Sequence, residues 1–154
     1  MKMGGVYNLI LKNEKDKKIE IGSIGEIEFK SGFYTYTGSA LGKNGFKRIW
    51  RHVENFNLKE KSYKRWWHVD YLKDSMNMIG FFFTKTEERA ECILAKEISK
   101  HLNGVEKFGC SDCNCASHLH YSKDKIEILE VVLNAHDYVR RYFTSSKSYP
   151  LGPL

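Results

Sequence analysis

The sequence predicts one α/β domain of the α+β type that combines short strands, including an extra N-terminal hairpin, with helices. Three observations carry this. Short runs rich in β-branched and aromatic residues fill the N-terminal part, separated by glycine, asparagine and lysine. Apolar spacing of three and four takes over from Phe46 onward. The 154 residues suffice for one core and not two, and at 42% apolar and 14% aromatic they are globular rather than disordered. The domain is expected over 1–143, with 144–154 as a tail.

Residues 4–12, GGVYNLILK, read as a first strand. A charged turn from Asn13 to Lys18 leads to Ile19, Ile21 and Ile24, so a hairpin is expected over 13–29. Gly32-Phe33-Tyr34-Thr35-Tyr36-Thr37 makes the next strand, and alternation puts Tyr34 and Tyr36 on one face. The loop 38–45 holds three glycines, which allow close backbone approach.

A helix follows. Phe46, Ile49, Trp50 and Val53 form its expected core stripe, while Arg48, Arg51 and Asn55 point away and His52 flanks them. A basic-aromatic run, LKEKSYKRWWHVDYLKD, precedes a strand around MNMIGFFFT, with Phe81, Phe82 and Phe83 read as core. Thr84 and Glu87 have capping-box spacing, predicting a helix over about 86–102. A cysteine-rich loop spans 109–120, and KIEILEVVLNAHDYVRRYF fits either one helix or a strand followed by a helix.

The 25 Lys+Arg against 19 Asp+Glu give a formal charge of +6 and favour an anionic partner. The apolar run in MKMGGVYNLILKNEK is too short for a signal sequence, and nothing approaches the ~20 apolar residues of a membrane span. Three of the four cysteines lie within six positions, which is not a disulfide framework. A cytoplasmic protein without a membrane partner is expected.

Several side chains carry chemistry. Tyr7 and Tyr36 lie in Gly5-Val6-Tyr7 and Tyr36-Thr37-Gly38, and Arg48 precedes His52 by one helical turn. Two phenols, a guanidinium and an imidazole are the groups that phosphodiester cleavage needs. Arg48 can fork two hydrogen bonds onto one phosphoryl group. Tyr7 needs nearby positive charge to act as a base at neutral pH. Glu91 shares a helical face with Leu94, Ala95, Ile98 and Leu102, so its carboxylate is expected on the buried side, where a metal or a basic partner would offset the charge.

Other features leave alternatives open. In an extended segment His68 and Asp70 would share a face, either as additional site residues or as a pair joining helix to sheet. Cys110, Cys113 and His118 have zinc-knuckle spacing, with Cys115 or His120 to close the tetrahedron. The alternative is a tight loop organised by the cysteines and Asp112. Lys43, Lys47, Arg51, Lys64 and Arg65 are candidate nucleic-acid contacts, the last two beside Tyr63, Trp66 and Trp67.

In this order the motifs resemble the GIY-YIG endonuclease superfamily. The strings YTYTGSALG, RIWRH, WWHVDYL and FGCSDCNCASHLHY are similar to a prokaryotic GIY-YIG-related subfamily catalogued as a domain of unknown function, found alone or fused to a base-excision glycosylase. The resemblance runs from about Gly5 to Tyr121. It implies a three-stranded antiparallel sheet with flanking helices, and hydrolysis of nucleic acid, DNA favoured over RNA, with Mg²⁺ or Mn²⁺. By it, Tyr7 aligns the attacking water as base, Tyr36 contacts the scissile phosphate and Arg48 stabilises the pentavalent state. His52 assists proton transfer and Glu91 holds the metal. Departures are the longer gap between the tyrosine motifs, Thr37 in place of an aliphatic residue, and Asn103, which stands near an asparagine of many relatives but equally suits a helix stop. The rival expectations are a binding module without turnover, with Zn²⁺ as a stabiliser, and a small-molecule hydrolase.

Overall fold

The computed structural model describes residues 4–42, 44–58, 67–110 and 114–146, without the side chains of 58 and 144–146. Five strands form one antiparallel sheet: β1 (Gly5–Asn13), β4 (Gly32–Ala40), β5 (Asn77–Lys85), β6 (Asn103–Gly104) and β7 (Leu119–Ser122), in the order β5-β1-β4-β7-β6. The three strands β5-β1-β4 are thus extended by two short ones. The expected hairpin is present as a separate ribbon, β2 (Lys17–Ile21) paired with β3 (Gly25–Phe29).

Strand β1 is central and covered on both faces. Val6 and Ile10 face a core built with helices α2 (Glu91–Ser99) and α3 (Lys125–Ser146). Tyr7, Leu9 and Leu11 face a second core, built with α1 (Gly45–Leu58), the hairpin and a 3₁₀ turn at His68–Leu72. Each fully buried Leu or Ile contributes about 1.5–3 kcal/mol. The continuous apolar run of β1 follows from this double burial.

On the α2/α3 side the sheet also buries a polar cluster. Asn8 donates through Nδ2 to the hydroxyls of Thr35 (3.0 Å) and Thr37 (2.9 Å). Its Oδ1 lies 2.8 Å from His136 Nε2, and His136 Nδ1 lies 2.8 Å from the Thr84 hydroxyl. Every side-chain polar atom in this cluster has a partner, so its burial carries no unmade hydrogen bond.

The structure corrects four expectations. Helix α1 is rotated from its predicted stripe: Ile49, His52, Asn55 and Phe56 are buried, Val53 is half-buried and Trp50 is 58% exposed. The cause is Gly45, where a Cβ would stand 1.7 Å from the Ala40 carbonyl oxygen. The first turn therefore lies directly on the β4 backbone, and that approach sets the face turned inward. The predicted capping box at Thr84 does not form. Strand β5 continues through Lys85 against Gly5, the Thr84 hydroxyl is taken by His136, and α2 begins at Glu91. Phe81, Phe82 and Phe83 belong to an edge strand, with Phe81 41% exposed and its neighbours half-buried. Asn103 neither ends α2 nor enters the site; it is exposed and pairs with Tyr121 in β6. The stretch with two readings is one helix, α3, which runs to Ser146.

Candidate active site

Tyr7 and Tyr36 come from adjacent antiparallel strands and meet on the α1 side of the sheet, ring centroids 6.5 Å apart. Gly38 lies opposite Tyr7 in the β1–β4 register. A Cβ at Gly38 would stand 2.4 Å from both Cζ and the hydroxyl oxygen of Tyr7, so the glycine of the Tyr-Thr-Gly motif makes the room this phenol occupies. Gly5 is equally constrained, since a Cβ there would fall 2.2 Å from the Thr84 carbonyl oxygen.

The rotation of α1 brings His52 inward, where its Nε2 lies 3.0 Å from the Tyr7 hydroxyl. His52 also packs against Tyr36 (6.3 Å) and Trp67 (5.7 Å). Burial lowers the His52 pKa to about 4, against the opposing pull of Asp70. The imidazole is therefore neutral near pH 7, and in the tautomer that turns its N–H toward Asp70 from Nδ1, its Nε2 is the acceptor for the Tyr7 hydroxyl. Burial, and next Tyr36, push the Tyr7 phenol well above its ordinary value, while Arg48 works the other way. Burial raises Tyr36 as well, followed by the charges of Glu91 and Asp70. At rest the site holds two protonated phenols beside a neutral base.

Asp70 extends the chain from Tyr7. Its Oδ1 is 3.9 Å from His52 Nδ1, and its Oδ2 accepts from the Trp67 backbone N–H (3.0 Å) and from Arg51 (3.4 Å). The expected pairing of Asp70 with His68 is not found. Residues 68–72 form a 3₁₀ turn rather than an extended segment, so the two do not share a face. His68 Nδ1 instead accepts the Gly109 backbone N–H at 2.8 Å and holds the cysteine loop.

Arg48 is exposed, donates one N–H to the Ser39 carbonyl at 2.6 Å and lies over the Trp67 ring at 5.1 Å. Arg51 stacks on the same ring at 4.8 Å. As a nucleic-acid contact Arg51 is compromised, because it is half-buried and bridges Asp70. Lys47 is exposed. Lys43, Lys64, Arg65 and Cys113 lie outside the described residues.

Leu94, Ala95, Ile98 and Leu102 are buried as their spacing predicts, but Glu91 is not sealed among them. It is the first residue of α2 and its side chain is 37% exposed, with Oε2 3.9 Å from His118 Nδ1. The helix starts five residues later than expected, which moves the carboxylate to the N-terminal rim, where the helix dipole favours negative charge. Its charge acts on both phenols. A single half-exposed carboxylate fits a hard cation such as Mg²⁺, which keeps several of its waters.

The expected zinc set includes Cys113, which lies outside the described residues. Cys110 Sγ is directed to the Phe108 carbonyl oxygen at 3.4 Å. Cys115 and His118 group with Cys92 of α2, their ligand atoms all within 4.8 Å of one another. His120 is buried and lines the same cavity as Cys92 and Cys115, but is not among the three residues that meet within that distance. Cys92 is the residue that sequence reasoning missed, while Trp67, named there beside Lys64 and Arg65, stacks under Arg48 and Arg51. Cys92 stands immediately after Glu91, and that adjacency was its one available signal.

Fold and site together define a compact mixed α/β domain with a tyrosine–histidine–aspartate cluster at the sheet face and a carboxylate at a helix rim. The chain belongs to the family described as domain of unknown function DUF123, whose profile matches residues 6–141. No curated protein and no solved structure matches it. Among the described residues no helix is long and apolar enough to cross a membrane.

Proposed function

We propose that the protein is a divalent-metal-dependent endonuclease that hydrolyses phosphodiester bonds in DNA, with branched or damaged DNA as the substrate class. The observation that carries this is the hydrogen bond of 3.0 Å from the Tyr7 hydroxyl to His52 Nε2, within a group that also holds Tyr36, Arg48 and the charge of Glu91. The resemblance of the two glycine-tyrosine motifs to the GIY-YIG endonucleases points the same way.

In this reading the Tyr7 phenol aligns the attacking water and passes its own proton to His52 Nε2 as it takes one from the water. Because burial holds His52 neutral, the acceptor is available at pH 7. The Asp70 carboxylate, facing Nδ1, favours the imidazolium that results. Arg48 uses one N–H on Ser39 and keeps the remaining guanidinium donors for the charge that builds on the phosphoryl oxygens. Tyr36 would donate to the scissile phosphate. Glu91 would hold Mg²⁺ or Mn²⁺, which when bound supplies Lewis-acid stabilisation of the leaving 3′ oxygen.

Glu91→Gln tests the reading. The variant should lose Mg²⁺-dependent cleavage of branched and nicked DNA while retaining DNA binding in a mobility-shift assay. If the wild-type protein cuts no DNA form with Mg²⁺ or Mn²⁺, the nuclease reading fails, and retained DNA binding would then favour a module of this fold without turnover.

A further inference from the structure

The described residues hold one group of soft ligands that the proposed cleavage chemistry does not use. Cys92 is the second residue of α2, and Cys115 and His118 lie in the segment leading into β7. They are far apart in sequence, yet the two Sγ atoms and a His118 ring nitrogen lie within 4.8 Å of one another. Neither Cys92 nor Cys115 is in a disulfide.

We propose that Cys92, Cys115 and His118 bind a thiophilic divalent cation, Zn²⁺ by the chemistry of the donors, and that this ion fastens the cysteine loop to the start of α2. Two thiolates and an imidazole are a borderline-soft donor set that suits zinc and not Mg²⁺. Around a tetrahedral ion with bonds of about 2.3 Å to sulfur and 2.0 Å to nitrogen, ligand atoms stand about 3.5–3.8 Å apart. The set therefore needs to close by at most about 1.0–1.3 Å, which cysteine rotamers supply. Two thiolates also neutralise the ion, so a half-buried position carries no net charge.

Independent features support the same site. His118 is buried, so its ring is held in place as a metal-bound imidazole needs to be. Its own backbone is clamped on both sides, donating to Phe108 O and accepting from Thr37 N, each at 2.8 Å. Cys92 and Cys115 both line a cavity of about 710 Å³ between α2 and the loop, which gives a cation a route in. The site is separate from the Mg²⁺ position but touches it mechanically. Cys92 follows Glu91 in the chain, and His118 Nδ1 is 3.9 Å from the Glu91 carboxylate. A bound ion would hold the rim of α2, and with it Glu91, in place.

The test is metal content, measured without reference to cleavage. The full chain, produced with added zinc and dialysed under reducing conditions, should retain one zinc per molecule by elemental analysis. Cys92→Ser and Cys115→Ser should each lose most of it, and Cys110→Ser should keep it. Cobalt substitution should give thiolate-to-metal charge-transfer absorption that falls by about half in either of the first two variants. Folded wild-type protein that retains no zinc overturns the proposal. So does a cobalt spectrum without a thiolate band, which remains decisive if the serine variants do not fold. Undiminished zinc in Cys92→Ser, or its loss in Cys110→Ser, overturns the ligand set. Each outcome is independent of whether the protein cuts DNA.

Discussion

Replacing Gly38 by alanine places one methyl group where the Tyr7 ring already is. The added Cβ would stand 2.4 Å from Cζ and the hydroxyl oxygen and 2.8 Å from Cε2. Ordinary carbon contacts begin near 3.5 Å, so the ring must retreat by about 1 Å. Tyr7 is 2% exposed and packed against Tyr36 and His52, and the methyl sits on the backbone of a central strand pair. Neither partner can yield freely. Overpacking of this kind costs about 1–3 kcal/mol, which for a domain of this size lowers Tm by about 2–10 °C. The same displacement pulls the hydroxyl from its 3.0 Å contact with His52 Nε2, and a misplacement near 1 Å lowers cleavage on the order of 100-fold. Differential scanning calorimetry and single-turnover cleavage of a branched duplex measure the two effects separately. A Gly38→Ala protein that melts and cuts like wild type would show that Tyr7 is not held as described, and the proton path would lose its basis.

Two further outcomes follow from the same geometry. Tyr7→Phe removes the hydroxyl and leaves His52 Nε2 without its partner in a buried setting; unfolding should cost about 1–3 kcal/mol less in denaturant titration, and cleavage should fall about 10²-fold or more. Stability unchanged within error would refute the hydrogen bond as a structural element. The third concerns acid: burial lowers His52, His120 and His136 to about 4 each, below the ordinary 6.5. The unfolded chain binds more protons than the folded one between those values, so stability is complete above pH 6.5 and is lost as pH falls toward 4. The slope should reach about 1.4 kcal/mol per pH unit for each histidine. Chemical denaturation at pH 7, 6 and 5 checks this, and a flat profile would show that these rings are not buried neutral.

The sequence made the strands legible because each short run carries its own period and its own glycine boundary. It also named Tyr7, Tyr36, Arg48 and His52, of which local spacing joins only Arg48 to His52; strand pairing and the inward turn of α1 bring the phenols to them. What it misjudged were orientations fixed by close backbone approaches and by contacts distant in the chain. Trp50 was expected inside, and His52 to flank an exposed face, because periodicity alone cannot choose between two neighbouring stripes of α1. The choice is made by Gly45 on the Ala40 carbonyl. Thr84 looked like a helix cap because the pairing of Lys85 with Gly5, and the His136 that takes its hydroxyl 52 positions later, are invisible locally. Cys92 was overlooked as a ligand for the same reason: its companions, Cys115 and His118, come from a loop beyond β6.

The polar cluster behind the sheet has a consequence for the phenol in front of it. Asn8 is the next residue after Tyr7, and in a pleated strand the two must face opposite ways. Sliding β1 by one position against β4 and β5 would send Asn8 among the leucines and strip Thr35, Thr37 and His136 of their hydrogen bonds. Apolar neighbours such as Leu9 and Ile10 would tolerate such a shift far better, since either fits a greasy pocket. The amide therefore works as a key that admits a single alignment, and Tyr7 reaches His52 because its neighbour is locked from the reverse side.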